Sequence, residues 1–306
     1  MFEKLFSKTG LSLDRLRSFM LMAEAGSIAR AFPGDANRQS QASRQIRELE
    51  EFFNVGLTRR KGKLLTLSAA GVRLAALVRE QFQDLDDFRR EQAGEFKSFL
   101  IGTGASILEW LVTPVLPDLS HHLGDAIFQT ESHRSHSLVT AVQDGRLDFA
   151  VIRHDALPST AKSALILKMR FMLCLPRRLL KPDLTEREAE KPVAWRQLPF
   201  AAGRDGGQTD AAVRQAMREL GVDFRPRFEC GSMLQVRRLV EMGACAGVLS
   251  NLGTRGLDMA KVMVIPFSPL KDFGRGLVLH WNERQMRRRG LEESSIKILA
   301  QILKPK

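Results

Sequence analysis

The chain's 306 residues leave room for two domains, each large enough to bury a core, and 44% hydrophobic with 27% charged residues is the balance of a globular protein. Its opening MFEKLFSKTG is too short and too charged for a signal peptide, and the longest apolar run, residues 164–175, is interrupted by Lys168 and Arg170, so no membrane partner and a cytoplasmic location are expected. A net charge of +12 suits a polyanion, but residues 11–73 carry eleven Lys or Arg against six Asp or Glu, and part of the remaining excess sits at Arg284, Arg287, Arg288 and Arg289.

The first element is an apolar stripe at helical spacing, Leu13, Leu16, Phe19, Met20 and Ala23, stopped by Gly26, where glycine can turn left-handed. Ser27 is placed to cap a short second helix from Ile28 to about Phe32, which Pro33 and Gly34 break. Asp35 or Asn37 can cap a third helix over residues 37–53, in which Ala42, Ile46, Leu49 and Phe53 share one face. Its polar face carries Arg38, Gln39, Gln41, Arg44 and Gln45, with Ser40 and Ser43 among them. A helix kept polar for solubility alone would draw on Glu and Lys. Arg and Gln instead bond base edges bidentately, Arg to guanine and Gln to adenine. Glutamates appear only at the far end, at Glu48, Glu50 and Glu51. Two helices joined by a turn, with readout residues on the second, make a DNA-binding arrangement. Residues 57–67 then read as two short strands about a turn at Lys61 and Gly62. Arg59, Arg60, Lys61 and Lys63 at its tip suit phosphates, which give affinity but little sequence information.

These pieces, LDRLRSFMLMAEAGSIARA, SRQIRELEEFF and LTRRKGKLLTLSAAG, resemble in sequence and spacing the LysR-type family of bacterial transcriptional regulators. The resemblance is strong to about Gly71 and looser beyond it. It implies an α/β protein overall: an all-α winged helix-turn-helix domain over residues 11–68, a linker and dimerisation helix over 69–96, and an effector-binding domain over 97–306. The last would hold two α/β lobes resembling a type 2 periplasmic binding protein, lobe I about 97–174 and 273–306 and lobe II about 175–272. Two departures concern DNA binding. The family's second helix is normally an unbroken run ending in leucine, where Phe32, Pro33, Gly34 and Asp35 stand here. Its recognition helix usually opens Ser-Gln-Pro and has leucine at the position of Ala42; here Arg38, Gln39 and Ser40 stand at the opening. The scaffold therefore carries over while the base preference does not, and Phe32 is available to fill the space beside the smaller Ala42.

Ser68 is placed to cap a long helix reaching about Phe96. Val78, Phe82, Leu85 and Phe88 form one stripe on it, after Val72 and Ala75, and charges cover the rest. A helix of that length leaving a small domain has little of its own protein to cover the stripe, whereas a second copy of the chain would cover it. Packing back on its own domain is the alternative. A dimer would place two recognition helices on two half-sites of a partly palindromic operator. Dimer and tetramer both stay open.

Beyond residue 97 strand-like stretches (99–102, 126–130, 149–153, 170–175, 247–250 and 276–281) alternate with helical ones (108–122, 137–144, 209–220 and 233–242). That alternation argues for α/β lobes with mainly parallel sheets, whose ligands sit outside the carboxyl ends of the strands. The resemblance implies two chain crossings, placed near Leu175 and near residues 269–273. Candidate effector contacts follow from those strand ends. Ser106 and Ile107 begin the helix after the first strand, where free N–H groups suit a carboxylate. Ser135 begins the helix after the second, and Arg153 ends the third. The other lobe offers Gly203, in the glycine-rich GRDGGQ, together with Ser232 and Met233. For the serines, plain helix capping is the alternative.

Catalytic signals are incomplete. Ser159 and Lys162 match Ser-x-x-Lys without its companion motifs. His121, His122, His133 and His136 have no carboxylate or cysteine spaced to complete a metal site. Gly102 and Gly104 lack the rest of a dinucleotide fingerprint. Cys174, Cys230 and Cys245 are odd in number and lack metal spacing, which fits a reducing compartment. No enzyme and no cofactor are expected. The sequence reads as a sequence-specific, homo-oligomeric transcriptional regulator that binds double-stranded DNA, senses an unknown small-molecule effector and, by family analogy, engages RNA polymerase. The rival is a small-molecule sensor or basic architectural DNA binder without sequence readout.

Overall fold

In the computed structural model, which describes residues 3–6, 9–61, 64–133, 135–204, 207–273 and 276–305, Ser12 opens the first long helix, α1 (Leu13–Ala25). Its Oγ accepts from Arg15 N at 3.3 Å, and Gly26 closes the helix at φ 75°, a backbone that L side chains rarely adopt. Ser27 likewise caps α2 (Ile28–Ala31), which is a single turn ended by Phe32. Asp35 is the cap of α3 (Ala36–Phe53), accepting from Arg38 N at 2.9 Å; the helix therefore starts ahead of Asn37 and ends at Asn54. The strands β1 (Thr58–Lys61) and β2 (Leu64–Leu67) pair antiparallel as the wing, and α4 (Ala69–Gln92) follows.

The core of this first unit is Phe19, Met22, Ile46, Leu49, Leu57, Ala75 and Val78, so three helices and the base of the wing meet on one cluster. The junction from wing to α4 is tight. Ser68 Oγ accepts from Gly71 N at 3.0 Å and donates to the Gly56 carbonyl at 2.6 Å. A Cβ at Gly71 would lie 2.0 Å from the Leu57 carbonyl oxygen, so the Ser-x-x-Gly spacing is a steric requirement. α4 stops at Gln92, four residues short of the expected Phe96, with Gly94 at φ 67° just beyond.

The described chain falls into two units, the first built on residues up to Glu95 and the second on most of the remainder. The second holds two five-stranded sheets. One is ordered β4-β3-β5-β12-β6, from β3 (Ser98–Thr103), β4 (Ile127–Ser132), β5 (Phe149–Arg153), β6 (Ser163–Lys168) and β12 (Gly276–Trp281). The other is ordered β11-β7-β10-β8-β9, from β7 (Phe171–Pro176), β8 (Phe200–Gly203), β9 (Phe228–Cys230), β10 (Ala246–Ser250) and β11 (Val262–Pro266). Each has three adjacent parallel strands and an antiparallel pair at one side, so both sheets are mixed rather than mainly parallel. Helices α5 (Leu116–His122), α6 (Ser135–Gln143), α7 (Gln208–Glu219), α8 (Met233–Glu241), α9 (Glu283–Arg288) and α10 (Glu293–Ile302) complete the unit.

The first passage between sheets is not at Leu175. β7 pairs wholly within the second sheet, and the apolar run of residues 164–175 breaks at Met169 and Arg170. At the break Asn251, on the second sheet's side, holds Arg170: its Oδ1 accepts from Arg170 N at 3.0 Å and its N donates to the Arg170 carbonyl at 2.8 Å, so Arg170 already belongs with β10 and β7. The return passage lies between Pro266 and Gly276. Among the described residues no helix is long and apolar enough to cross a membrane.

Candidate DNA and effector interfaces

On α3, Ala42, Ile46 and Leu49 are fully buried, as their spacing predicts. At 3.6 residues per turn, Ser40 and Arg44 fall opposite that stripe. Both are exposed and neither side chain has an intramolecular partner among the described residues. The other readout candidates divide. Gln39 is half-buried and its Nε2 donates to the Phe32 carbonyl at 2.8 Å, closing α2. Ser43 accepts from Arg47 Nη2 at 3.4 Å, and Arg38 pairs with Asp35 at 3.4 Å while staying open to solvent. Arg38, Gln41 and Gln45 turn toward α1 and line a groove of about 340 Å³ with Arg17, Phe32 and Ala42. Phe32 thus borders the space beside Ala42 without filling it.

The wing is held from an unexpected side. Glu50 Oε1 accepts from Leu57 N, Thr58 N and Thr58 Oγ1 at 2.8, 2.9 and 3.0 Å. One carboxylate oxygen on α3 therefore sets where β1 begins. In the sequence Glu50 is indistinguishable from a solvated acid, and nothing in the local pattern marks it. Arg59 is exposed on β1. Arg60 and Lys61 lie in β1, but their side chains, and Lys63 entirely, fall outside the described residues.

The stripe on α4 splits along its length. Val78 is 4% exposed and belongs to the core of its own domain, against which Phe82 also packs, so Val78 is not available to a second chain. Leu85 and Phe88 are exposed at 55% and 62%. The 3.6-residue period carries the stripe past the end of the domain before the helix itself ends.

In the second unit, the sequence candidates gather at the carboxyl edges of the two sheets. After β3, Gly104 opens a helical turn (Ala105–Ile107) without a side-chain cap, which leaves the half-buried Ser106 hydroxyl unengaged among the described residues. Ser135 begins α6 after β4, with its side chain outside the described residues. Arg153 ends β5 and its Nε donates to Asp155 at 3.1 Å, so its charge already has a partner. On the other sheet, Gly203 ends β8 with Met233 Sδ 4.0 Å from where a Cβ would stand. Ser232 caps α8 by accepting from Gln235 N at 3.4 Å, the ordinary role for a serine there. A cavity of about 500 Å³ that the sequence did not suggest is lined by Trp110 and Arg237, the guanidinium 5.9 Å from the ring centroid. Trp110 lies in a π turn (Leu108–Val112) against Gly253, where a Cβ would meet the ring at 2.7 Å.

All three cysteines are buried free thiols, and burial pushes Cys174 up to about 12 and Cys245 up to about 11. Among the described residues no group of three or more His, Cys, Asp or Glu could hold a metal ion.

Fold and surface together define a winged helix-turn-helix regulator joined to a two-lobed α/β sensor domain. The bacterial regulatory helix-turn-helix protein, lysR family, matches residues 13–72, and the LysR substrate binding domain matches residues 92–293. The chain belongs to the LysR family and is a DNA-binding transcriptional regulator with an effector-binding domain. It is 25% identical over 240 residues, 76% of each chain, to a probable nitrogen assimilation transcriptional activator from Synechococcus elongatus. A full-length OxyR variant from Pseudomonas aeruginosa shares the fold with a TM-score of 0.63 and 18% identity, over 96% of this chain and 94% of that one. Full-length CbnR complexed with its target DNA does so with a TM-score of 0.55 and 15% identity, over 92% and 98%.

Proposed function

We propose that α3 reads its operator chiefly through Ser40 and Arg44, with Arg38, Gln41, Ser43 and Gln45 at its flanks and Gln39 holding the turn. Arg59, Arg60, Lys61 and Lys63 on the wing take phosphates. Two chains pair through the far end of α4, where Leu85 and Phe88 continue past the domain's own core and Phe82 lies at its edge, and a partly palindromic operator follows. A small effector binds at the carboxyl edges of the sheets, near Ser106, Ile107, Ser135, Arg153, Gly203 and Met233, with Ser232 fixing the start of α8. The protein acts by binding rather than catalysis, in the cytoplasm, and engages RNA polymerase in the manner of its family.

The observation that carries the reading is Arg44, exposed and unengaged among the described residues, opposite a fully buried stripe. Arg44→Ala should reduce discrimination between the DNA upstream of its own gene and random duplex by about 1–3 kcal/mol, the worth of one bidentate base contact. Equal tight binding of the wild type to both duplexes would instead favour a DNA binder without sequence readout.

A further inference from the structure

The groove between α1 and α3 is built from two matching faces. α1 offers Asp14, Arg17, Ser18 and Leu21, and α3 offers Arg38, Gln41, Ala42 and Gln45, each set at i, i+3, i+4 and i+7. Faces so spaced ordinarily interlock, but these leave about 340 Å³ open because Ala42 is small and Phe32 lies at the border. Buried and half-buried apolar groups form the floor, and the exposed groups at the rim are Asp14, Arg17, Arg38 and Gln41. The ion pair of Arg15 with Glu48 fixes the adjoining stretch of α1 against α3, so Arg17 is held at this rim by its own helix turn.

Arg17 differs from its neighbours in being unengaged. Arg15 pairs with Glu48, Arg38 with Asp35, and Arg47 bonds Ser43, whereas Arg17 is exposed with neither ion pair nor hydrogen bond among the described residues. It stands beside the neutral amides Gln41 and Gln45, on the flank of the helix that carries the readout face. When such a helix lies in the major groove, its flanks face the sugar–phosphate walls, and a guanidinium is well matched to a phosphate's oxygens. Asp14, one turn earlier on the rim, would repel a phosphate and so marks where this strip ends.

We propose that Arg17 takes a backbone phosphate of duplex DNA at the mouth of the α1–α3 groove, which makes α1 a third element of the interface beside α3 and the wing. The assignment rests on α3 being the recognition helix. It predicts affinity without sequence information from Arg17, in contrast to Arg44.

The test is fluorescence anisotropy of the full-length chain on two labelled duplexes, the DNA upstream of its own gene and a random sequence, titrated between about 50 and 200 mM salt. Arg17→Ala should weaken both duplexes by a similar factor and flatten the slope of log affinity against log salt by about 0.9, the release expected for one phosphate. Arg17→Lys should keep most of that slope, since a point charge still reaches the phosphate, and it decides the matter if the alanine variant melts earlier than wild type. An unchanged slope and affinity in Arg17→Ala would overturn the proposal, as would a loss confined to the native duplex, which is the signature of a base contact. Wild-type protein that binds neither duplex would overturn the reading of α3 and this proposal with it, and that failure is visible before any variant is made.

Discussion

Asp148 and Arg289, 141 residues apart in sequence, form a buried ion pair, with Arg289 Nη1 donating to Asp148 Oδ1 at 2.6 Å. Both side chains are almost fully shielded from solvent. Around them Asp148 accepts from Leu100 N at 2.8 Å and Gln285 Nε2 at 2.9 Å, and Arg289 donates to the Ser98 carbonyl at 2.6 Å. The guanidinium also lies 4.2 Å from the Phe99 ring centroid. The pair therefore joins the start of β3, the entry to β5 and the end of α9. Because both ions are hydrogen-bonded on several sides, the low-dielectric attraction can offset their desolvation, yet each alone would be stranded.

Removing one partner should cost far more than removing both. Arg289→Met leaves the Asp148 carboxylate buried without its cation and should lower stability by about 3–5 kcal/mol. The double change Asp148→Leu with Arg289→Met should recover part of that loss. The chain's three tryptophans, Trp110, Trp195 and Trp281, all lie in the second unit, so denaturant unfolding followed by tryptophan fluorescence reports this unit directly. Additive losses in the double variant would mean that the two charges do not interact.

This pair also shows what the sequence conceals. Arg289 stands among four arginines in six positions and reads as one more surface charge, although it is buried and its neighbours Arg284, Arg287 and Arg288 are not. Elements whose signal is local were readable: the stripe and opening of α3, the Ser68 cap, and the strands β5 and β12 at their true bounds. Elements whose logic is tertiary were not. β8 and β9 are four and three residues long, too short for alternation to register, and β6 does not read as a separate strand because its apolar residues run on into β7, which reads by itself at 170–175. In the DNA-binding domain residue types singled out α3. Which amide was engaged and which arginine was free depended on Phe32, Asp35 and α1.

Gln39 illustrates that last distinction and yields a prediction. With its amide donating to the Phe32 carbonyl, Gln39→Ala should loosen the α2–α3 turn and lower the domain's stability by about 1 kcal/mol, the net worth of one hydrogen bond. Binding to native and random duplexes should fall together. A selective loss on the native duplex, measured by anisotropy beside a circular dichroism melt, would restore Gln39 as a base reader.

The two ends of α4 should respond oppositely to charge. Phe88→Glu places a carboxylate on the exposed end and should shift the full-length chain toward monomer in sedimentation velocity, with its helical content unchanged. Val78→Asp buries an unpaired carboxylate in the first unit's core and should unfold that unit, as loss of helix signal rather than a clean change in association. If Phe88→Glu sedimented as wild type does, chain pairing would have to reside elsewhere.

His280 gives the second unit a dependence on pH. Its ring is buried on β12, with Nδ1 2.8 Å from the Lys162 carbonyl and Nε2 meeting no partner among the described residues. The neutral ring therefore donates from Nδ1. Burial holds its pKa below the ordinary 6.5, against a smaller opposing pull from the Lys162 carbonyl. In the unfolded chain the same ring titrates near its ordinary value. As the pH falls below 6.5 the unfolded state takes up a proton that the folded state refuses, so stability declines toward the depressed folded pKa and levels beneath it. Above 6.5 the ring is neutral in both states and contributes no slope. His280→Asn keeps an N–H for the Lys162 carbonyl and removes the titration. The variant should lose less stability than wild type on acidification to about pH 5, by up to ~1.4 kcal/mol per pH unit across the window. Denaturant midpoints from tryptophan fluorescence at several pH values measure the difference, and the other five histidines are common to both proteins. Parallel pH profiles would show that the folded ring accepts its proton as readily as the unfolded one.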